Sequence, residues 1–235
     1  MYFIEEGLSA YREIPWYQFE YFKGKIKTIV CLFFCLEYNI KFGHSVYIDK
    51  LLLTNPALFA KNHPHNKIKT QLFSNDLNVC LSSFKNIDIN NINDSLINIK
   101  YPAVFYVGQP LSEYGIITEI CENRVIDEIR NLCYMNNFNF YVKMHPREKL
   151  IKYRDHELIL TAFPAEIIIN HLNKEKIILC SPFSSVNFNF LGHCMLENIH
   201  LYKLFNISPT IPNLPINAIQ SLTSLNDVMR RSALI

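Results

Sequence analysis

From about Ile99 onward, short runs of β-branched and aromatic residues alternate with stretches of helical spacing, and that alternation leaves few folds open. Val104-Phe-Tyr-Val107 reads as a buried strand ending at Gly108. Ile116, Ile117, Ile120, Ile126, Ile129 and Leu132 then recur at helical spacing over 116–136. Asn139 to Lys143 is the next strand, and Leu158-Ile-Leu160 a short one. Pro164 opens a helix with Glu166 in its first turn, a favourable place for both residue types. Lys176-Ile-Ile-Leu-Cys180 is a further strand, followed by Ser184-Ser185 capping a helix through about Leu191. Ile199 to Tyr202 reads as a last strand. A loop with Pro209, Pro212 and Pro215 leads to a terminal helix near 216–231. Strands separated by helices of this length predict a parallel α/β sheet with right-handed crossovers.

Residues 1–98 are less regular. Tyr2-Phe3-Ile4 resembles the tail of a strand, Val46 to Leu53 a whole one, and the aromatic-basic stretch Trp16 to Lys41 a helical segment. The Asn- and Asp-rich run at 86–98 has the composition of a linker. The expected organisation is therefore two units, 1–98 and 99–235. A first unit that enters at the end of a strand is expected to be incomplete, with a compensating homodimer as one consequence.

Composition narrows the function by exclusion. With 49% hydrophobic and 19% charged residues, the chain of 235 residues is globular. A net charge of +2 gives no footprint for nucleic acid. The seven cysteines are odd in number and form no Cys-x-x-Cys pair; most sit in apolar runs, as buried thiols of a reducing compartment do. Tyr2-Phe3-Ile4 runs straight into two glutamates, unlike a signal peptide. The longest apolar run, Ile29 to Leu36, is eight residues, against the ~20 that a spanning helix needs. The expected location is cytoplasmic, soluble or peripheral at the inner membrane.

Chemistry concentrates in Phe140-Tyr-Val-Lys-Met-His145-Pro146-Arg-Glu148. A strand there stops at a proline with Lys143, His145 and Arg147 at its carboxyl end, where open α/β sheets hold ligands. Those types suit a phosphorylated leaving group, since histidine can protonate it and the cations offset its charge. His63-Pro64-His65 repeats the dipeptide outside any strand pattern and reads as loop. Arg147 and Glu148 also read as a surface pair. Ser184 and Ser185 at a helix start offer hydroxyls and backbone N–H groups to a phosphate, and simple capping explains one of them. Gly108-Gln109 follows a strand and lets backbone approach a ligand. Glu5-Glu6-Gly7 lies where a strand ends; adjacent carboxylates on a strand face opposite sides, and a solvated turn is the other reading.

The ordered set Glu5-Glu6-Gly7, His145-Pro146 and Ser184-Ser185 resembles the bacterial sialyltransferases, whose shared motifs are an acidic-acidic-glycine triplet, a His-Pro pair and a Ser-Ser or Ser-Thr pair. Gly108-Gln-Pro-Leu-Ser-Glu113 and Lys143-x-His-Pro-Arg-Glu148 are most similar to the lipooligosaccharide α-2,3-sialyltransferases. The resemblance implies a GT-B-like fold of two Rossmann-like lobes with parallel sheets. The first, 1–98, would be the partial acceptor-side lobe, because a longer first domain normally precedes the triplet. The second, 99–235, would bind the CMP-sugar.

The implied reaction is inverting, metal-independent transfer of sialic acid from CMP-sialic acid to a terminal galactose of lipooligosaccharide, with no cofactor. The partners would be the donor and a glycolipid or oligosaccharide acceptor, with peripheral membrane contact. The resemblance favours Glu5 as base, Glu6 in reserve, and His145 on the CMP phosphate. Lys143, Ser184, Ser185, Gly108 and Gln109 would line the donor site, with Glu166 on the ribose. The rivals are a capsular polysialyltransferase, which shares all three motifs, and a catalytically silent remnant that only binds CMP or a partner subunit. No Asp-x-Asp for a divalent metal, P-loop, Gly-x-Ser-x-Gly or Gly-x-Gly-x-x-Gly occurs. Asp155-His156-Glu157 lacks metal-ligand spacing and reads as loop.

Overall fold

The computed structural model describes residues 2–4, 26, 50–53, 56–63, 69–72, 99–154, 157–159, 164–190, 195–207 and 217–233. It divides into two compact units, one of Met1–Asn78 with Pro209–Pro215 and the other of Val79–Ser208 with Ile216–Ile235.

In the first unit, β1 (Tyr2–Ile4), β2 (Lys50–Leu53) and β3 (Lys69–Leu72) pair in that order as a parallel sheet. Phe3 stands opposite Leu51, and Leu51 opposite Thr70. Between β2 and β3 lies α1 (Pro56–Asn62), which begins on a proline whose missing N–H costs nothing there. Sequence reasoning missed both α1 and β3. His63 follows α1 as loop, as expected, and its ring packs on Phe59 with centroids 4.5 Å apart. The His63 N–H donates to the Phe59 carbonyl at 2.8 Å, closing the last turn of α1 and bringing the two rings together. Glu5, Glu6, all but Ile26 of the helical segment expected at 16–41, and the linker expected at 86–98 lie outside the described residues.

The second unit holds β4 (Ala103–Val107), α2 (Glu119–Met135), β5 (Asn139–Lys143), α3 (Ala165–His171), β6 (Ile177–Ser181), α4 (Val186–Asn189), β7 (Glu197–His200), β8 (Asn217–Ala218) and α5 (Leu222–Ser232). Its five strands are all parallel in the order β5-β4-β6-β7-β8. Alternation along β4 sorts the core into two layers. Val104 and Tyr106 join α2 and α5 on one face, through Ile126, Ile129, Leu225 and Met229. Phe105 and Val107 join α3 and Phe190 on the other. Covered on both faces, β4 and β6 are buried throughout, and apolar but for the serine that ends β6. The edge strand β5 alternates buried with half-buried positions.

Most expected elements of this unit form, and the departures have local causes. Helix α2 starts at Glu119, because the Thr118 side chain caps it by accepting the Cys121 N–H at 3.3 Å. Ile116 precedes the helix at 53% exposure, and Ile120 faces solvent at 82%. The buried stripe is instead Glu122, Val125, Ile126, Ile129, Arg130 and Cys133, so two charged residues stand where apolar ones were expected. Each buried isoleucine contributes roughly 1.5–3 kcal/mol. Leu158 makes one isolated bridge to Val142 and no strand. Helix α4 ends at Asn189 and not near Leu191. Glu157, read as loop, is buried and grips Arg130 through both carboxylate oxygens, at 2.5 and 2.9 Å. Cys133 and Cys180 are buried free thiols, while Cys121 is exposed. No described helix is long and apolar enough to cross a membrane.

Candidate functional site

Strand order decides where a ligand can sit. The first strand of this sheet, β4, has the second on one side and the third on the other, so successive crossovers run in opposite directions and open a crevice at the carboxyl ends of β4 and β6. A cavity of about 320 Å³ lies there. It is lined by Gly108 and Gln109 after β4, Lys143 and His145 at the end of β5, Glu166 in the first turn of α3, and Ser184 and Ser185 after β6. Every site residue expected in the second unit therefore meets in one place. Separations of up to 77 positions in sequence, from Gly108 to Ser185, are closed by the sheet. Among the described residues no cluster of metal-ligating side chains is found.

A larger cavity, about 600 Å³, lies along β7 and β8, at Glu197, Ile199, Asn217 and Ile219, and against α5. Its lining carries two carboxylates, Glu197 and Asp227, and two cations, Arg230 and Arg231. It gathers none of the expected site residues.

His145 is fixed by hydrogen bonds on both sides. Its backbone N–H donates to Glu148 Oε2 at 2.7 Å. Its ring Nδ1 accepts the Arg147 N–H at 3.2 Å, which assigns the proton of the neutral ring to Nε2. Burial lowers its pKa, and the nearby Arg147 and Lys143 cations lower it further, with Glu113 opposing. The ring is thus neutral at pH 7 and presents an N–H donor. An anion bound beside it favours the charged form and raises the pKa again. NMR titration of the His145 ring should give a midpoint below 6.5 in the free protein and a higher one with CMP. A midpoint that CMP leaves unmoved takes His145 off the phosphate.

The neighbours are built to match. Burial also lowers the pKa of Lys143, partly countered by Glu148 and Glu166, and its Nζ donates to the Met144 carbonyl at 3.0 Å. Ser184 Oγ accepts the Val186 N–H at 3.3 Å, so its own proton remains for a ligand oxygen. Beneath it, Ser181 Oγ accepts the Ser184 N–H at 3.0 Å and donates to Asn187 Oδ1 at 2.6 Å. Asn187 is anchored in turn to the Ile199 carbonyl at 3.1 Å. This chain pins the Ser-Ser turn to the sheet. Gln109 Nε2 donates to the Phe183 carbonyl, tying the loop after β4 to the same turn. Glu166 Oε1 accepts from Asn189 Nδ2 at 3.0 Å, which orients the carboxylate from α4.

Two parts of the site read differently from the sequence. Glu148 is no surface partner of Arg147; it is 7% exposed, while Arg147 donates to the Tyr114 hydroxyl and lies over that ring at 5.7 Å. The glycine at 108 makes room for Glu148: a Cβ there would stand 2.9 Å from its carboxyl carbon. Asn187, Ser181 and Lys152 went unremarked because each is an ordinary polar residue in its local pattern. The three positions between Glu148 and Lys152, one helical turn, were the available signal.

A cavity at the switch point of a doubly wound sheet, lined by a histidine, a lysine and two serine hydroxyls, is suited to holding a phosphate-bearing nucleotide. A family model described as alpha-2,8-polysialyltransferase matches residues 1–191, and the chain belongs to that family of sialyltransferases. No curated protein and no solved structure matches the chain.

Proposed function

We propose that the protein transfers sialic acid from CMP-sialic acid to the terminal residue of an α-2,8-linked sialic acid chain. The observation that carries this reading is the cavity at the carboxyl ends of β4, β5 and β6, within a chain whose family is described by that transfer. The five-stranded unit serves as the donor lobe of a GT-B-type enzyme. The acceptor hydroxyl attacks the anomeric carbon while the bond from that carbon to the CMP phosphate oxygen breaks. CMP leaves with the bonding electrons, and the hydroxyl proton passes to a carboxylate, Glu5 or Glu6. His145 donates through Nε2–H to the phosphate oxygen as charge builds on it, and Lys143 lies within the same cavity to offset that charge.

The family description supports the sialyl acceptor over the galactose of lipooligosaccharide that the short motifs favoured. The protein should be incubated with CMP-sialic acid and two labelled acceptors, an α-2,8 sialic acid trimer and a lactoside. Elongation of the trimer by successive residues is expected. Preferential transfer to the lactoside returns the reading to a galactose-directed enzyme, and transfer to neither removes the activity.

A further inference from the structure

We infer that Glu148 is the positioning residue for His145: its buried carboxylate, seated in the space that Gly108 leaves open, holds the His145–Glu148 turn in the shape that presents the ring. This rests on the reading of the cavity as the CMP site. The Glu148 N–H donates to the His145 carbonyl at 3.0 Å, and the carboxylate returns to the His145 N–H at 2.7 Å. The turn is thus closed from both sides, as a capping box closes the first turn of a helix. The second carboxylate oxygen accepts the Tyr153 hydroxyl at 2.8 Å and stands 3.8 Å from Lys152 Nζ. Tyr153 and Lys152 are themselves buried, so the carboxylate is held between partners packed into the core.

Gly108 completes the device. It follows β4 directly, and its N–H donates to the Lys143 carbonyl at 3.0 Å, which places the Gly108 backbone against the end of β5. With any side chain at 108, the carboxyl group of Glu148 has to leave its place. Gly108, Glu148 and His145 therefore act in series: the missing Cβ admits the carboxylate, the carboxylate fixes the turn, and the turn brings the Arg147 N–H to Nδ1. The same series gives a reason for a glycine at 108 that needs no close approach of ligand to backbone.

The series predicts how substitutions combine. Glu148→Ala should weaken CMP binding roughly tenfold and cut transfer by up to about a hundredfold, the scale of an ångström-level misplacement. Glu148→Gln should stay within about threefold of wild type, because an amide oxygen can accept the His145 N–H while the amide nitrogen donates to Tyr153. Gly108→Ala should reproduce the Glu148→Ala defect. The double variant should be no worse than Glu148→Ala alone, since the new methyl then fills vacated space.

NMR titration of His145 in the ligand-free protein is the deciding measurement, because it needs no donor. Its midpoint should stay low in wild type and in Glu148→Gln, and return toward 6.5 in Glu148→Ala and Gly108→Ala as the freed turn exposes the ring. Multiplying effects in the double variant, a Glu148→Gln as impaired as Glu148→Ala, or an unmoved midpoint each overturns the inference. Should Glu148→Ala fail to fold, Gly108→Ala and Glu148→Gln still decide it. An altered midpoint in a protein that binds no CMP keeps Glu148's role in placing the ring and rejects the donor-site reading.

Discussion

Lys152→Met is expected to destabilise the protein by about 3–5 kcal/mol at neutral pH, the range for removing one partner from a buried ionic cluster. Lys152 Nζ lies 2.6 Å from Glu113 and 2.8 Å from Glu122, with Glu148 at 3.8 Å. The lysine, Glu122 and Glu148 side chains are fully buried and Glu113 is 13% exposed, so water supplies almost none of the solvation the carboxylates have lost. Burial lowers the lysine pKa, but hydrogen bonds to Glu113 and Glu122 more than offset this, and it stays charged. Burial raises the pKa of Glu148, only partly countered by the His145 N–H and the Tyr153 hydroxyl. Glu113 is also pushed up by burial, yet its hydrogen bonds from Lys152 and backbone N–H groups leave it net below the usual range.

Those directions fix the pH dependence. A depressed carboxylate such as Glu113 stabilises the fold above its unfolded pKa, and that stability is lost as pH falls through the folded value. Without Lys152 the Glu113 depression shrinks to what the backbone N–H groups supply, and Glu148 loses a cation that counters its burial. The gap between wild type and Lys152→Met is therefore widest at pH 7 and narrows below about pH 5, where protonation relieves the variant and removes the wild-type advantage. Urea unfolding at the two pH values reads this directly, through a shift in midpoint of about 1 M or more at pH 7. An equal gap at both would show that the cluster is not ionised in this way.

The sheet was legible because parallel strands buried on both faces leave a continuous apolar run, which β4 and β6 carry clearly, while the edge strand β5 shows the alternation of a half-buried one. The site residues were legible for a related reason: in such a sheet, chemistry placed just after a strand must reach the same edge. Gly108, His145 and Ser184 each follow a strand within a few residues, and they line one cavity. What escaped was charge in the core. Glu122, Arg130, Glu148, Lys152 and Glu157 have the local pattern of surface residues, and only their pairings across the fold bring them inside. A sequence cannot price a buried charge until its partner is known. The short elements β3 and α1 escaped because β3 carries a single apolar residue, Leu72, and α1 spans only seven residues, too few to show a helical period. Short motifs shared by several sialyltransferases do not encode the acceptor, which is why galactose and a sialic acid chain both stood as readings of the sequence.

The remaining large effects separate His145 from the acidic triplet. His145→Ala should weaken CMP affinity at least tenfold, about 1.4 kcal/mol, and slow transfer by ~10²–10⁴, because the same ring binds the phosphate and supports its departure. Glu5→Gln or Glu6→Gln should slow transfer over the same range, ~10²–10⁴, in whichever of the two is the base, and leave CMP affinity unchanged. The asymmetry follows from where each group acts. A histidine on the leaving group is felt in the donor complex and more strongly in the transition state. A base that touches only the acceptor hydroxyl is felt when that proton moves. Calorimetry with CMP together with kcat and KM for both substrates resolves the two patterns. Wild-type turnover in both glutamate variants would remove the base from the triplet. Unchanged CMP affinity in His145→Ala would leave Lys143, Ser184 and Ser185 to carry the phosphate, and would place the histidine in a structural role at the end of β5.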